Sequence, residues 1–138
     1  MTPYMSAACQ AMTTSYRSAQ VKITAVSDCL FCGIAAGDVP ASVILEGPRT
    51  LAFRDVSPQA PVHVLVITRA HYADLAALTA AGEGLLDELT AQAVRVAEAE
   101  GLDEGYRVVF NTGGHGGQTV AHVHAHVLGG RPMTWPPG

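Results

Sequence analysis

Three histidines alternate with small apolar residues in Ala121-His-Val-His-Ala-His-Val-Leu128. Imidazole is the side chain best suited to act as nucleophile, proton carrier or metal ligand near neutral pH. If the segment is a strand, the period of two puts His122, His124 and His126 on one face. Val123, Ala125 and Val127 then face the opposite way, towards a core. Covered imidazoles need partners for their ring nitrogens, so three in a row are costly unless they are used. A single metal ion is the competing use, but same-face neighbours on a strand do not easily converge on one ion. Just upstream, Asn111-Thr-Gly-Gly-His-Gly-Gly-Gln-Thr119 contains four glycines. Glycine allows close backbone approach and unusual φ, so successive N–H groups can converge on an anion. On its own such a loop is equally a hairpin connection. Directly before a row of histidines, it reads as a phosphate cradle beside nucleophile and acid–base candidates. A third constellation is Cys29-Leu-Phe-Cys32, whose spacing lets two thiolates share one Zn²⁺ with two further ligands. Two free thiols, or a redox pair, are the other uses of that spacing.

The rest of the composition narrows the partners. The 138 residues are enough for one domain, with 49% apolar and 14% charged residues and a net charge of −4. The eight basic residues are scattered, which argues against a nucleic-acid partner but not against a single nucleotide. No apolar run is long enough for a membrane span, and the first residues lack the pattern of a secretory signal. Three cysteines in all, two of them paired in sequence, fit a reducing compartment. The expectation is a cytoplasmic protein with no membrane partner.

Elements that must position these residues can be read along the chain. Residues 1–28 have no sustained periodicity and are expected to be a flexible extension, with Met5 and Met12 as alternative starts and no role for Cys9. A domain is expected over 29–138. It opens with a short helix near 31–37, ended by Gly37 and Pro40. Strands are predicted at 42–46, 50–54, 62–68, 106–111 and 121–128, with a proline-fixed loop between Asp55 and Pro61. One long helix is predicted at 82–100 from the stripe Leu86, Leu89, Ala93, Val96 and Ala97, with Gly101 ending it. Turn-connected strands with one long helix and a short N-terminal helix predict an α+β fold on a five-stranded antiparallel sheet.

At this point the chain resembles the histidine-triad (HIT) family, whose signature is His-x-His-x-His followed by two apolar residues. His122-Val-His-Ala-His-Val-Leu128 matches it in full. The ending His126-Val-Leu-Gly-Gly-Arg-Pro-Met-Thr-Trp-Pro-Pro-Gly138 resembles the Hint branch rather than the diadenosine-polyphosphate hydrolases. Leu51-Ala-Phe-Arg-Asp-Val-Ser-Pro-Gln-Ala-Pro61, Leu65-Val-Ile67 and Gly116-Gly-Gln-Thr-Val120 match as well. The resemblance covers about Cys29 to Gly138.

It implies that His124 is the nucleophile, with its second ring nitrogen donating to the backbone carbonyl of His122. His126 and His63 are implied to stabilise charge or handle the leaving-group proton. Asn111, Gly117, Gln118 and Thr119 are implied around the phosphate, and Asp55 on the ribose hydroxyls. Phe31, Ile34, Phe53 and Val56 match positions that sandwich a purine, although ordinary core packing is the alternative for all four. Trp135, ahead of the stiff Pro136-Pro137 pair, is implied to dock towards the partner's site in a homodimer whose sheets join. For the cysteine pair, bacterial relatives imply a structural zinc completed by His71 and His122. His115, at the loop tip, is expected to be exposed. Three positions depart from the family pattern: Ala121 stands where a tyrosine is frequent, Ala125 is smaller than usual, and Thr119 replaces serine.

The activity implied is that of a purine nucleoside phosphoramidase. Such an enzyme releases AMP or GMP from a 5′-phosphoramidate through a nucleotidyl-histidine, with no catalytic cofactor. Hydrolysis of dinucleoside polyphosphates or acyl-adenylates is a related alternative. A regulatory nucleotide-binding module with little turnover is the rival from another class.

Overall fold

The computed structural model describes residues 28–138, so the extension expected at 1–28, with Met5, Cys9 and Met12, lies outside the described residues except for Asp28. Among the described residues eight elements follow one another: α1 (Leu30–Ala36), β1 (Val43–Glu46), β2 (Thr50–Arg54), β3 (Val62–Thr68), α2 (Leu75–Ala81), α3 (Leu85–Ala99), β4 (Tyr106–Val109) and β5 (His124–Gly129). The strands form one sheet in the order β1-β2-β3-β5-β4, and every neighbouring pair is antiparallel. This is the expected α+β architecture.

The alternation of side chains along the strands divides the sheet into two faces with different tasks. Ala52, Val64, Val66, Ala125 and Val127 form one buried cluster with Leu85, Leu89, Ala93 and Val96 of α3. Leu51, Phe53, Leu65 and Ile67 form a second cluster, covered by Phe31 and Ile34 of α1. β3 lies between β2 and β5, so its β-branched residues are buried on both sides. Its register sets Leu65 opposite His126 and Ile67 opposite His124. The histidines of β5 therefore rise on the α1 face, while Ala125 and Val127 pack under α3.

Four elements differ from the sequence reading. The helix predicted at 82–100 begins only at Leu85, because Gly82, Glu83 and Gly84 have φ of 68°, 59° and 72°. Three successive residues with positive φ cannot continue a right-handed helix. Arg49 pins this turn by donating from Nη2 to the Glu83 carbonyl at 3.0 Å. Before it lies α2, which the sequence reading missed. Asp74 caps it by accepting from the Ala77 N–H at 2.9 Å. β5 begins at His124 rather than at 121, since the Val123 N–H bonds the Tyr72 carbonyl, beyond the end of β3. His122 thus precedes the strand. β4 stops at Val109, leaving Phe110 and Asn111 outside the ladder.

On α3 the buried side is Leu85, Leu89, Gln92, Ala93, Val96 and Ala97, whereas Leu86 is half-buried. Leu89 is 0% exposed. Leu89→Ala is expected to cost about 3 kcal/mol in urea unfolding, and Leu86→Ala about 1 kcal/mol or less. Equal losses at the two positions would contradict this helix register.

Candidate active site

His124 is held by a bond that chooses its tautomer. Its Nδ1–H donates to the carbonyl oxygen of His122 at 2.7 Å, inside the protein. A carbonyl has no proton to give, so Nδ1 carries the hydrogen and Nε2 keeps a lone pair. The ring is also fixed sideways, edge-on to Phe31 with centroids 5.1 Å apart. A buried imidazole with a bare Nε2 and two restraints on its orientation has the geometry a nucleophile needs.

Beside it stand His126 and His63, and their tautomers follow from one backbone group. The Gln59 N–H donates to His63 Nδ1 at 3.0 Å. His63 must then carry its proton on Nε2, which lies 2.9 Å from His126 Nδ1 and donates to it. His126 in turn must be protonated on Nε2, a buried nitrogen with no hydrogen-bond partner among the described residues. An orphan donor beside such an imidazole can hold an oxyanion. Burial above all, with the neighbouring His124 and His63 adding to it and Asp55 opposing, pushes His126 down to about 4. Burial lowers His63 too, against the pull of Asp55. The pair is therefore neutral near pH 7.

Asp55 closes this side of the site. Its Oδ1 accepts from the Ser57 N–H at 2.7 Å, and Oδ2 stands 3.4 Å from His63 Nε2. Asp55, His63 and His126 have the residue types of a metal site, with donor atoms within 4.8 Å of one another. The protonated Nε2 of His63 argues against a metal there, since it has no lone pair to give.

The four residues of the other cluster do offer lone pairs. His122 is 0% exposed, and its Nε2–H donates to the Thr68 carbonyl at 2.7 Å. Its Nδ1 is thereby free and lies 3.4 Å from Cys29 Sγ, 3.5 Å from Cys32 Sγ and 3.3 Å from His71 Nδ1. Cys32 Sγ to His71 Nδ1 is 3.4 Å. Tetrahedral Zn–S bonds of about 2.3 Å and Zn–N bonds of about 2.0–2.1 Å place donors about 3.3–3.8 Å apart, so the set fits zinc. The Thr68 carbonyl supplies the outer-shell acceptor usual for a ligating histidine. Burial, reinforced by Cys29, pushes the Cys32 thiol up to about 11. A divalent cation reverses that shift by taking the thiolate.

The glycine loop is ordered by its own bonds. Gln118 donates from Nε2 to the carbonyls of Ala73 and Val120, at 2.8 and 2.9 Å, and its Oε1 accepts from the Gly113 N–H at 3.1 Å. Its backbone N–H goes to the Gly113 carbonyl. Gln118, implied as a phosphate ligand, thus spends its donors as a brace between the loop and the connection that carries His71. Gly116 packs so tightly on Thr112 that a Cβ would overlap the Thr112 carbonyl. Asn111 is half-buried, while Gly117 and Thr119 are exposed.

The purine-wall positions do not share one surface in this chain. Phe31, Ile34 and Phe53 are buried in the α1-side cluster, whereas Val56 is 99% exposed. Trp135 is 80% exposed, and His115 is exposed as expected. What the sequence reading missed is the Gln59 amide: a backbone donor leaves no signature in residue type.

The family described as HIT domain matches residues 36–133. A HIT family hydrolase from Legionella pneumophila Philadelphia 1, known from a crystal structure, superposes with a TM-score of 0.77 at 50% identity, covering 80% of this chain and 99% of that one. The 14 kDa zinc-binding protein of Brassica juncea is 45% identical over 114 residues, 80% of this chain and 100% of its own length. Adenylylsulfatase HINT1 of Arabidopsis thaliana is 38% identical over 141 aligned positions, 100% of this chain and 95% of the relative.

A depressed histidine pKa has a definite sign in stability. Between about 6.5 and about 4 the unfolded chain binds a proton that folded His126 refuses. Its contribution is complete above that window and is lost as pH falls through it. The urea midpoint is therefore expected to drop between about pH 7.5 and about pH 5, with a shallower drop in His126→Gln. A midpoint that rises on acidification would contradict the neutral pair.

Proposed function

This chain belongs to the HIT domain family, and from that premise we propose that it hydrolyses purine nucleoside 5′-phosphoramidates to the nucleoside monophosphate and an amine. The observation that carries the reading is the 2.7 Å bond from His124 Nδ1–H to the His122 carbonyl, which leaves Nε2 bare beside the neutral His63–His126 pair. His124 Nε2 attacks the α-phosphorus, and the electron pair of the P–N bond leaves with the amine, which takes a proton from solvent. Water then attacks the nucleotidyl-histidine. The P–Nε2 pair returns to His124, one water proton goes to solvent, and the monophosphate departs. One difficult displacement becomes two easier ones.

His126 acts here as a hydrogen-bond donor rather than a proton source. Giving up its Nε2 proton while Nδ1 accepts from His63 would leave an imidazolate. Its Nε2–H instead holds a phosphoryl oxygen as charge builds there. Asn111, Thr119 and the backbone around Gly117 complete the phosphate side, with Gln118 bracing the loop. Asp55 holds the ribose hydroxyls, a carboxylate to a vicinal diol. Phe31, Ile34, Phe53 and Val56 remain the candidates for the purine walls.

The neutral pair also favours a second reading. Without an acid to protonate it, an amine is a poor leaving group, whereas sulfate or a carboxylate departs as a stable anion. Adenylyl sulfate or an acyl-adenylate is the substrate class that follows, in line with the name of the Arabidopsis relative. A nucleotide-binding module with little turnover remains the alternative outside catalysis.

Cys29, Cys32, His71 and His122 hold one structural Zn²⁺ in this reading, and the ion takes no part in the displacement. It ties the start of α1 to the end of β3 and to the entry of β5. The chain works as a homodimer, with the exposed Trp135 docked on the partner. The cytoplasm is its proposed location; among the described residues no helix is long and apolar enough to cross a membrane.

Release of AMP from adenosine 5′-phosphoramidate, adenylyl sulfate and diadenosine tetraphosphate tests the reading. Wild type should release AMP from one of the first two, and His124→Ala should lose about 10⁴-fold or more in kcat/KM. Tight AMP binding with no turnover of any of the three would point to the binding module. Metal analysis should find about one zinc per chain in wild type and none in Cys32→Ser, which should melt at a lower temperature. A zinc-free wild type would remove the metal from the account.

A further inference from the structure

Gln59 is gripped at three points. Its N–H goes to His63 Nδ1 at 3.0 Å, and its side chain donates to the Ser57 carbonyl at 2.9 Å. Its own carbonyl accepts from Arg131 Nη2 at 2.9 Å. Arg131 follows β5 and is anchored by a second bond, from Nη1 to the Pro132 carbonyl at 3.0 Å. Next to it, Gly130 lies so close to Pro61 that an added Cβ would stand 2.8 Å from the Pro61 Cβ. The segment leaving β5 is thus seated on the proline-rich loop that leads into His63.

We propose that Arg131 is a positioning residue for the His63–His126 pair, acting through the Gln59 backbone. The two peptide groups flanking the Gln59 Cα are rigid, so only φ and ψ of Gln59 can turn one relative to the other. By holding the carbonyl, Arg131 aims the N–H at His63 Nδ1. That bond makes His63 the Nε2–H tautomer, and His63 then makes His126 the Nε2–H tautomer. The result is the unpartnered donor beside the nucleophile. Asp55 Oδ2, at 3.4 Å from His63 Nε2, favours the same tautomer from a greater distance. A guanidinium suits the task because its two forks reach separate carbonyls at once.

The role rests on the reaction proposed for this site, but its primary test needs no substrate. Long-range proton–nitrogen correlation spectra of ¹⁵N-histidine-labelled full-length protein report which ring nitrogen is protonated. Wild type should show His63 and His126 each as a single Nε2–H tautomer. Arg131→Ala should convert His63 to a tautomer mixture, while the Nδ1–H signal of His124 persists as proof of an intact fold. Gln59→Pro, which deletes the N–H itself, should produce the same mixture. With whichever substrate the wild type turns over, Arg131→Ala should lower kcat about tenfold, the worth of one ordinary hydrogen bond, with KM little changed. Arg131→Lys should restore part of the loss. Pure Nε2–H tautomers in Arg131→Ala would overturn the proposal, as would a tautomer mixture that leaves kcat unchanged. A wild type with the expected tautomers but no turnover would fail the reaction and leave the tautomer control standing.

Discussion

The chemistry proposed for this chain depends on the carbonyl oxygen of His122. It takes the Nδ1 proton of His124 at 2.7 Å and so decides which nitrogen of that imidazole is bare. A peptide oxygen can do this only if its own plane is fixed, and residue 122 is fixed through its side chain. The imidazole of His122 donates to Thr68 at the end of β3 and turns its Nδ1 to Cys29, Cys32 and His71. One residue thus belongs to both proposed sites, with its side chain in the Cys/His cluster and its carbonyl on His124. The glycine loop reaches the same point, since Gln118 ties it to Ala73 and Val120, on either side of the cluster.

The second constraint is neutrality. His63, His126 and His124 crowd into a largely buried space where several positive charges would repel and go unsolvated. The chain resolves this by passing hydrogen bonds in one direction: amide to His63, His63 to His126, and from His126 an open donor. Such a row has no spare proton to give, but it supplies a fixed dipole where negative charge develops. Pre-set donors cost no reorganisation at the moment of reaction, which is the main advantage of a folded site over water.

Much of this was legible in the residues. Alternation in 121–128 puts His124 and His126 on one face, because period-two burial is written directly in residue type; β2 and β3 are buried almost throughout, so the side on which His63 lies follows only from the register of β3 with β5. The Cys29–Cys32 spacing and the resemblance together named the four residues that the fold brings within reach of one another. The reading failed where backbone conformation or context decided. The positive φ of residues 82–84 is a backbone property, so the sequence starts α3 three residues early, and the sequence pattern gives no sign of α2. β5 was begun too early, since Val123 looks like a strand residue and only its bond to Tyr72 removes it. Gln118 is a donor by type, and only its partners show that its protons are spent. The Gln59 amide was invisible for a plainer reason: every residue except proline has one.

The central claim is that His124 Nε2 bonds to phosphorus. The most direct test is rapid-quench mass spectrometry of the intact chain mixed with an adenylyl substrate, followed by mapping of any adduct. The account predicts a transient gain of one AMP, located on His124 and absent from His124→Ala. Turnover to AMP with no adduct at any quench time, or an adduct on another residue, would contradict it.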